Sequence, residues 1–213
     1  MEGDRTMPEY SHIQTYVKCD ESNYKEVIQQ FAAFLSKAGL DNSYFDSGLK
    51  WEVADNGFMY QGGNADAEEV PVEGLSLHVR PYVAGLTPEV FPELAESWLE
   101  VSLLFLTEEI TADYRTGELI CEVQPYIWSL MEQFADYYDQ VGIYFTDEAT
   151  GGKPWDAAVT GNNGELWSFD AAIIPKVLID LYAAPDEQLF DYTYSGKQLL
   201  LARREVWGKK LWL

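Results

Sequence analysis

The stretch HIQTYVKC alternates in polarity. Ile13, Thr15, Val17 and Cys19 fall on one side of an extended chain, and His12, Gln14, Tyr16 and Lys18 on the other. That period of two predicts a strand with one apolar face. Asn23 with Glu26 three positions later forms a capping-box pattern. Behind it Val27, Ile28, Phe31, Phe34, Leu35 and Ala38 recur at helical spacing, and Gly39 supplies the stop. LKWEVAD and GFMYQ predict two strands around the Asn56-Gly57 turn. After the acidic loop GGNADAEEVPVEG, the stretch LSLHVRPYV places Leu75, Leu77, Val79 and Val83 inward. Pro81 marks an edge position or a strand end there. The first 85 residues therefore predict the order β-α-β-β-β.

Thr87-Pro88-Glu89 has the composition of a helix start. Phe91, Leu94, Trp98 and Leu99 follow at helical intervals, and VSLLFL is apolar all round. The expectation is a mostly buried helix over about 88–110. RTGE reads as a turn, and a further helix is expected from Pro125 to Gln140, with Ile127, Leu130, Met131, Phe134, Tyr137 and Tyr138 on its apolar side. VGIYF predicts a short strand. WDAAVTG and ELWSFDAAII predict a hairpin around GNNG, PKVLIDLYAA a short helix, and FDYTYSGKQLLLA a hairpin about Ser195-Gly196. Strands joined by turns, mixed with helices in no regular alternation, predict an α+β fold. Its sheet is largely antiparallel and hairpin-connected, packed against three to four helices. One domain over 1–213 is expected, with a boundary near residue 86 as the alternative.

Composition changes this picture in one respect. An apolar fraction of 47% and an aromatic fraction of 15% belong to a folded chain, so the net charge of −22 sits on a folded surface. Such a surface disfavours nucleic acid and anionic membranes, and attracts basic partners. Residues 197–213 run against the trend with Lys197, Arg203, Arg204, Lys209 and Lys210 against Glu205. They can lie across the acidic body as counter-charge, or form an interaction strip. Cys19 and Cys121 lack metal or redox spacing and read as buried free thiols. No apolar run reaches membrane-spanning length, and the first residues lack a basic-then-apolar signal pattern, so a cytoplasmic protein is expected.

Candidate chemistry is sparse. ATGGKPW lacks the leading glycine and the hydroxyl residue of a phosphate loop, with Pro154 in the way. His12 and His78 are the only histidines and fall on the polar sides of strands, where surface placement is expected. No nucleophile elbow occurs. Asp136 and Asp139 share a helix face, Asp147 and Glu148 follow the next strand, and Asp156 sits beside Trp155. These six residues are the candidate binding surface. No catalytic residue, metal ligand or cofactor is assigned, because calcium-loop spacing is missing. The leading expectation is a non-catalytic binding protein that docks on a basic protein, as an immunity protein does on a toxin, or as an inhibitor does in a nucleic-acid groove. It binds no nucleic acid or membrane directly. A carboxylate-centred or metal-assisted enzyme and a structural or assembly subunit are the alternatives. Sequence leaves the oligomeric state open.

Overall fold

Both faces of the HIQTYVKC strand are buried, and this sets the architecture. The computed structural model describes residues 9–46, 49–52, 59–60, 65–208 and 211–212. The strands are β1 (Tyr10–Lys18), β2 (Met59–Tyr60), β3 (Glu68–Val72), β4 (Leu75–Leu86), β5 (Trp98–Leu106), β6 (Thr111–Asp113), β7 (Glu118–Leu119), β8 (Ile143–Asp147), β9 (Ala171–Pro175), β10 (Phe190–Ser195) and β11 (Gln198–Arg203). The helices are α1 (Tyr24–Ala38), α2 (Ser43–Asp46), α3 (Thr107–Ile110), α4 (Gln124–Tyr137) and α5 (Lys153–Thr160), with 3-10 helices at Asn163–Glu165 and Lys176–Tyr182. The main sheet runs β10-β11-β9-β8-β1-β5-β4-β2, with β3 also pairing β4. Every pairing is antiparallel. β6 and β7 form a separate small ribbon. The fold is α+β with an antiparallel sheet, as the turn-joined strands predict.

One face of the sheet carries α1, α2 and α4. Ile13, Val17, Val101, Leu103 and Phe105 meet Phe31, Phe34 and Phe134 there, all nearly or fully inaccessible. Phe34 and Phe134 lie with ring centroids 4.1 Å apart. The opposite face is covered at the β8-β9-β11 side by α5 and the 3-10 helices, around Tyr144, Ile174, Leu201, Tyr182 and Phe169. Covering both faces explains why β8 is buried at every position from Ile143 to Thr146 instead of alternating. Gly142 at the entry to β8 has no room for a side chain, since an added Cβ would lie 2.5 Å from the Tyr144 ring.

Several expectations change. The predicted helix over 88–110 is not formed: 87–97 is a run of turns, 98–106 is the strand β5, and only Thr107–Ile110 is helical. Pro92 interrupts the helical pattern one turn after Pro88, and the apolar run VSLLFL is short enough to be a strand buried on both faces. The hairpin around GNNG is also absent. Residues 153–160 are α5, with Pro154 in its first turn and Gly161 in the left-handed conformation closing it. Gly161 has φ 80 with nothing within 4 Å of an added Cβ, so Gly161→Ala should cost about 1 kcal/mol from backbone strain alone. Thermal melts of the two proteins check this.

Smaller corrections have local causes. Asn23 makes no side-chain cap bond to α1. Its Oδ1 accepts from the Asp20 N–H at 2.8 Å and its Nδ2 donates to the Lys18 carbonyl at 3.0 Å, closing the turn before the helix. Gly39 stops α1 as predicted, in the left-handed region. Residues 176–182 wind as a 3-10 helix. Cys19 is buried but Cys121 is exposed, because it falls in the turn ahead of α4. The Asn56-Gly57 turn lies outside the described residues. Pro81 falls between the β3 and β2 contacts on the outer edge of β4, where no described strand needs its missing N–H. At the basic C-terminal end, Arg203 pairs with Asp170 at 3.1 Å and Arg204 with Asp191 at 2.7 Å. These two arginines neutralise the body's own acids. Among the described residues, no helix is long and apolar enough to cross a membrane.

Candidate functional site

The strand register builds a floor row by row on the second face. Ala84 of β4, Glu100 of β5 and Tyr16 of β1 stand abreast. The next row is Tyr82, Ser102, Gln14 and Tyr144, and the next is Arg80, Leu104, His12 and Thr146. A period of two guarantees that these side chains share a face once the register is fixed. Where α5 and the 3-10 helices end, this floor is left open as a pocket of about 690 Å³. That volume lies within the range of small-ligand sites.

Two segments wall the pocket. One is the turn-rich stretch 87–97, which contributes Phe91, Glu93 and Leu94. The other is the loop after β8 with the start of α5, contributing Glu148, Gly151, Gly152, Lys153, Trp155 and Asp156. Asp147 fixes this loop. Its Oδ1 accepts from the Thr150 N–H at 2.8 Å and from the Thr150 hydroxyl at 2.7 Å, and its carbonyl accepts from the Gly151 N–H at 2.8 Å. The Gly-Gly pair then lies against the floor. A Cβ on Gly151 would be 3.6 Å from His12 Nδ1, and one on Gly152, where φ is 78, would be 3.3 Å from the Tyr16 hydroxyl. The stretch that resembles a phosphate loop in composition is a wall packed on polar strand residues.

The floor is a connected polar network. Tyr16 donates its hydroxyl proton to Gln14 Oε1 at 2.9 Å, and Gln14 Nε2 donates to Thr146 Oγ1 at 2.7 Å. Tyr16 stacks on Trp155 with centroids 4.3 Å apart and planes 14° from parallel, and Trp98 meets Trp155 edge-on at 5.8 Å. Arg80 lies over the Tyr10 ring at 5.8 Å. Three buried nitrogens, His12 Nε2, Arg80 Nε and Trp155 Nε1, find no hydrogen-bond partner among the described residues.

Burial sets the protonation of the acids. It pushes the Glu100 carboxyl up from its ordinary 4.5 to about 7, against a smaller opposing effect of the Ser102 hydrogen bond. Asp156 is raised by burial and by the nearby Glu93 carboxylate. Burial lowers the His12 imidazole, opposed by Glu148 and Asp147. None of Glu93, Glu100 and Asp156 has an ion-pair partner among the described residues; Lys18 is held by Glu96 and Lys153 by Glu165 at 3.8 Å.

The six residues singled out by sequence divide. Glu148, Trp155 and Asp156 line the pocket, and Asp147 holds its wall. Trp155 is a wall residue only 5% exposed and not a surface contact. Asp136 and Asp139 are exposed at the other end of β8, with Asp136 paired to Lys37 at 3.0 Å. The length of β8 keeps the two acid groups apart by more than about 13 Å. His78 is held by Glu109, with Nδ1 and Oε1 2.6 Å apart, and takes no part in the pocket. Glu100, Glu93, Tyr16, Tyr82, Arg80 and Tyr10 escape sequence reasoning. For all but Glu93, which lies in the turns of 87–97, the signal is the polar phase of three strands, visible in β1 and β4 but hidden in β5 by the helix expectation. Among the described residues, no group of three or more His, Cys, Asp or Glu is arranged to hold a metal ion. Compared with protein-family models, curated proteins and solved structures, the chain matches none.

Proposed function

We propose that the chain is a non-catalytic binding protein whose acidic surface docks on a basic protein partner. The observation that carries this reading is the pocket itself: carboxylates of Glu93, Glu100, Glu148 and Asp156 meet aromatic walls on a chain of net charge −22. Aromatic residues beside charges are the composition of interface centres. An excess of one charge sign speeds association with the opposite sign and makes it salt-sensitive. Inhibition of a nucleic-acid-binding protein or of a basic toxin fits this chemistry.

The expected result is capture of a basic protein from the source cell's lysate at low salt, with release at moderate salt. The triple variant Glu93→Gln, Glu148→Gln, Asp156→Asn should weaken capture at least about tenfold, by removing three charges from the rim. A partner that binds the triple variant as well as the parent, or that ignores salt, would refute the proposal.

One observation favours a second reading, carboxylate-centred catalysis. Glu100, raised to about 7 in a pocket that His12 lines at its other end, has the protonation of a general base. A stable one-to-one complex with the partner supports docking. Chemical conversion of the partner, or of a small molecule, by substoichiometric protein supports the enzyme.

A further inference from the structure

The pocket has an internal polarity that the docking proposal does not use. Glu100 stands at the end of the floor flanked by Tyr16, and Arg80 faces Leu104 four residues further along β5. At about 3.3 Å per residue their backbones are roughly 13 Å apart. Arg80, turned towards Tyr10, therefore does not neutralise Glu100. The walls of the same pocket add Glu93 and Asp156, close enough to each other for the Glu93 carboxylate to raise Asp156. A desolvated carboxyl that shares its pocket with two more acids, and has no cation partner among the described residues, is an electrostatically incomplete site.

The walls at this end specify what completes it. Tyr16, Tyr82, Phe91 and Trp155 line the cavity together with these acids. Aromatic groups beside carboxylates favour a cation that is flat and weakly hydrated, and guanidinium meets both conditions where ammonium does not. Trp155 supplies a separate observation. It is 5% exposed, lines the cavity, and its indole Nε1 has no acceptor among the described residues. A buried donor without an acceptor is costly, and an acceptor brought in by a bound partner removes the cost.

We infer that the Glu100 end of this pocket is a receptor for a single arginine side chain presented by a protein partner, with the guanidinium bound by Glu100 and framed by Tyr16, Tyr82 and Trp155. The inference rests on the docking reading for the source of the arginine, while the pocket chemistry stands on its own. The arginine then anchors the interface centrally, and the rim acids Glu93 and Asp156 complement its charge as it enters.

The test uses the full chain and N-acetyl-arginine amide, followed by Trp fluorescence and calorimetry. Saturable millimolar binding is expected, with the citrulline and lysine analogues at least about fivefold weaker. Glu100→Gln should weaken the arginine probe about tenfold or more while circular dichroism shows the fold intact. Asp156→Asn at the rim should weaken it severalfold. Equal binding of the citrulline or lysine analogue, no saturation by the arginine probe, or an unaffected Glu100→Gln variant would each overturn the inference. Failure separates cleanly from that of the docking reading. A basic protein partner that binds while the arginine probe does not defeats the inference alone. Probe binding without any protein partner defeats the docking reading alone.

Discussion

Leu103→Ala should destabilise the protein by about 2–5 kcal/mol, and Leu104→Ala by clearly less. The two neighbours differ only in the face they present. Leu103 is fully inaccessible and packs in the core under α1 and α4, paired in the ladder with Ile13 and Pro81. Leu104 is half-buried and lines the open pocket, where truncation enlarges a space that water already reaches. Loss of a buried side chain costs its transfer energy plus the cavity left behind, and only Leu103 incurs both in full. In a helix buried on most sides the two positions would be about equally sensitive, so the ratio reports the strand directly. Urea unfolding with unchanged slope measures it. Equal losses at both positions would contradict opposite faces for β5.

Glu100→Gln should raise stability at pH 8 by about 1–3 kcal/mol and leave it unchanged near pH 4. The sign follows from the direction of the shift. Glu100 is raised from 4.5 to about 7 by burial, so the folded protein holds the proton more tightly than the unfolded chain. Its contribution is complete below about 4.5 and is lost as pH climbs through about 7, where the fold must carry a desolvated charge. Glutamine keeps the shape without the charge. The difference between parent and variant, measured by denaturant unfolding from pH 4 to 8, isolates this one group from all others that titrate. A flat difference across that range would show that Glu100 is solvated in the folded state. A residue that weakens the fold at neutral pH is what a binding site retains when a ligand supplies the missing charge.

Sequence showed those features whose signal is local. The alternation of Ile13, Val17 and Cys19 against His12, Gln14 and Tyr16 marks β1, and the spacing of Phe31, Phe34 and Leu35 before Gly39 marks α1. It failed where one pattern fits two structures. VSLLFL satisfies a buried helix and a buried strand alike, because a strand covered on both faces loses its period. Lys153–Thr160 was open to the same ambiguity, although Pro154 and Gly161 bracket it as they bracket helices elsewhere. The misreading of β5 had a functional consequence. As part of a helix, Glu100 is one more surface acid; as part of a central strand it stands beside Tyr16 on a pocket floor.

The amino-acid sequence by itself determined the α+β class, the main amphipathic elements, and a surface with a large excess of negative charge. These follow from periodicity and composition, which each segment carries alone. Tertiary structure decided which polar faces converge. The pocket collects Tyr10 and His12 from β1, Arg80 and Tyr82 from β4, Glu100 from β5, and Glu93 and Asp156 from two walls. Strand order and register place them together, and both are set by the packing of the opposite, apolar face onto α1 and α4. The same packing leaves Glu100 short of water, so its charge state is a property of the assembled sheet and of no segment within it.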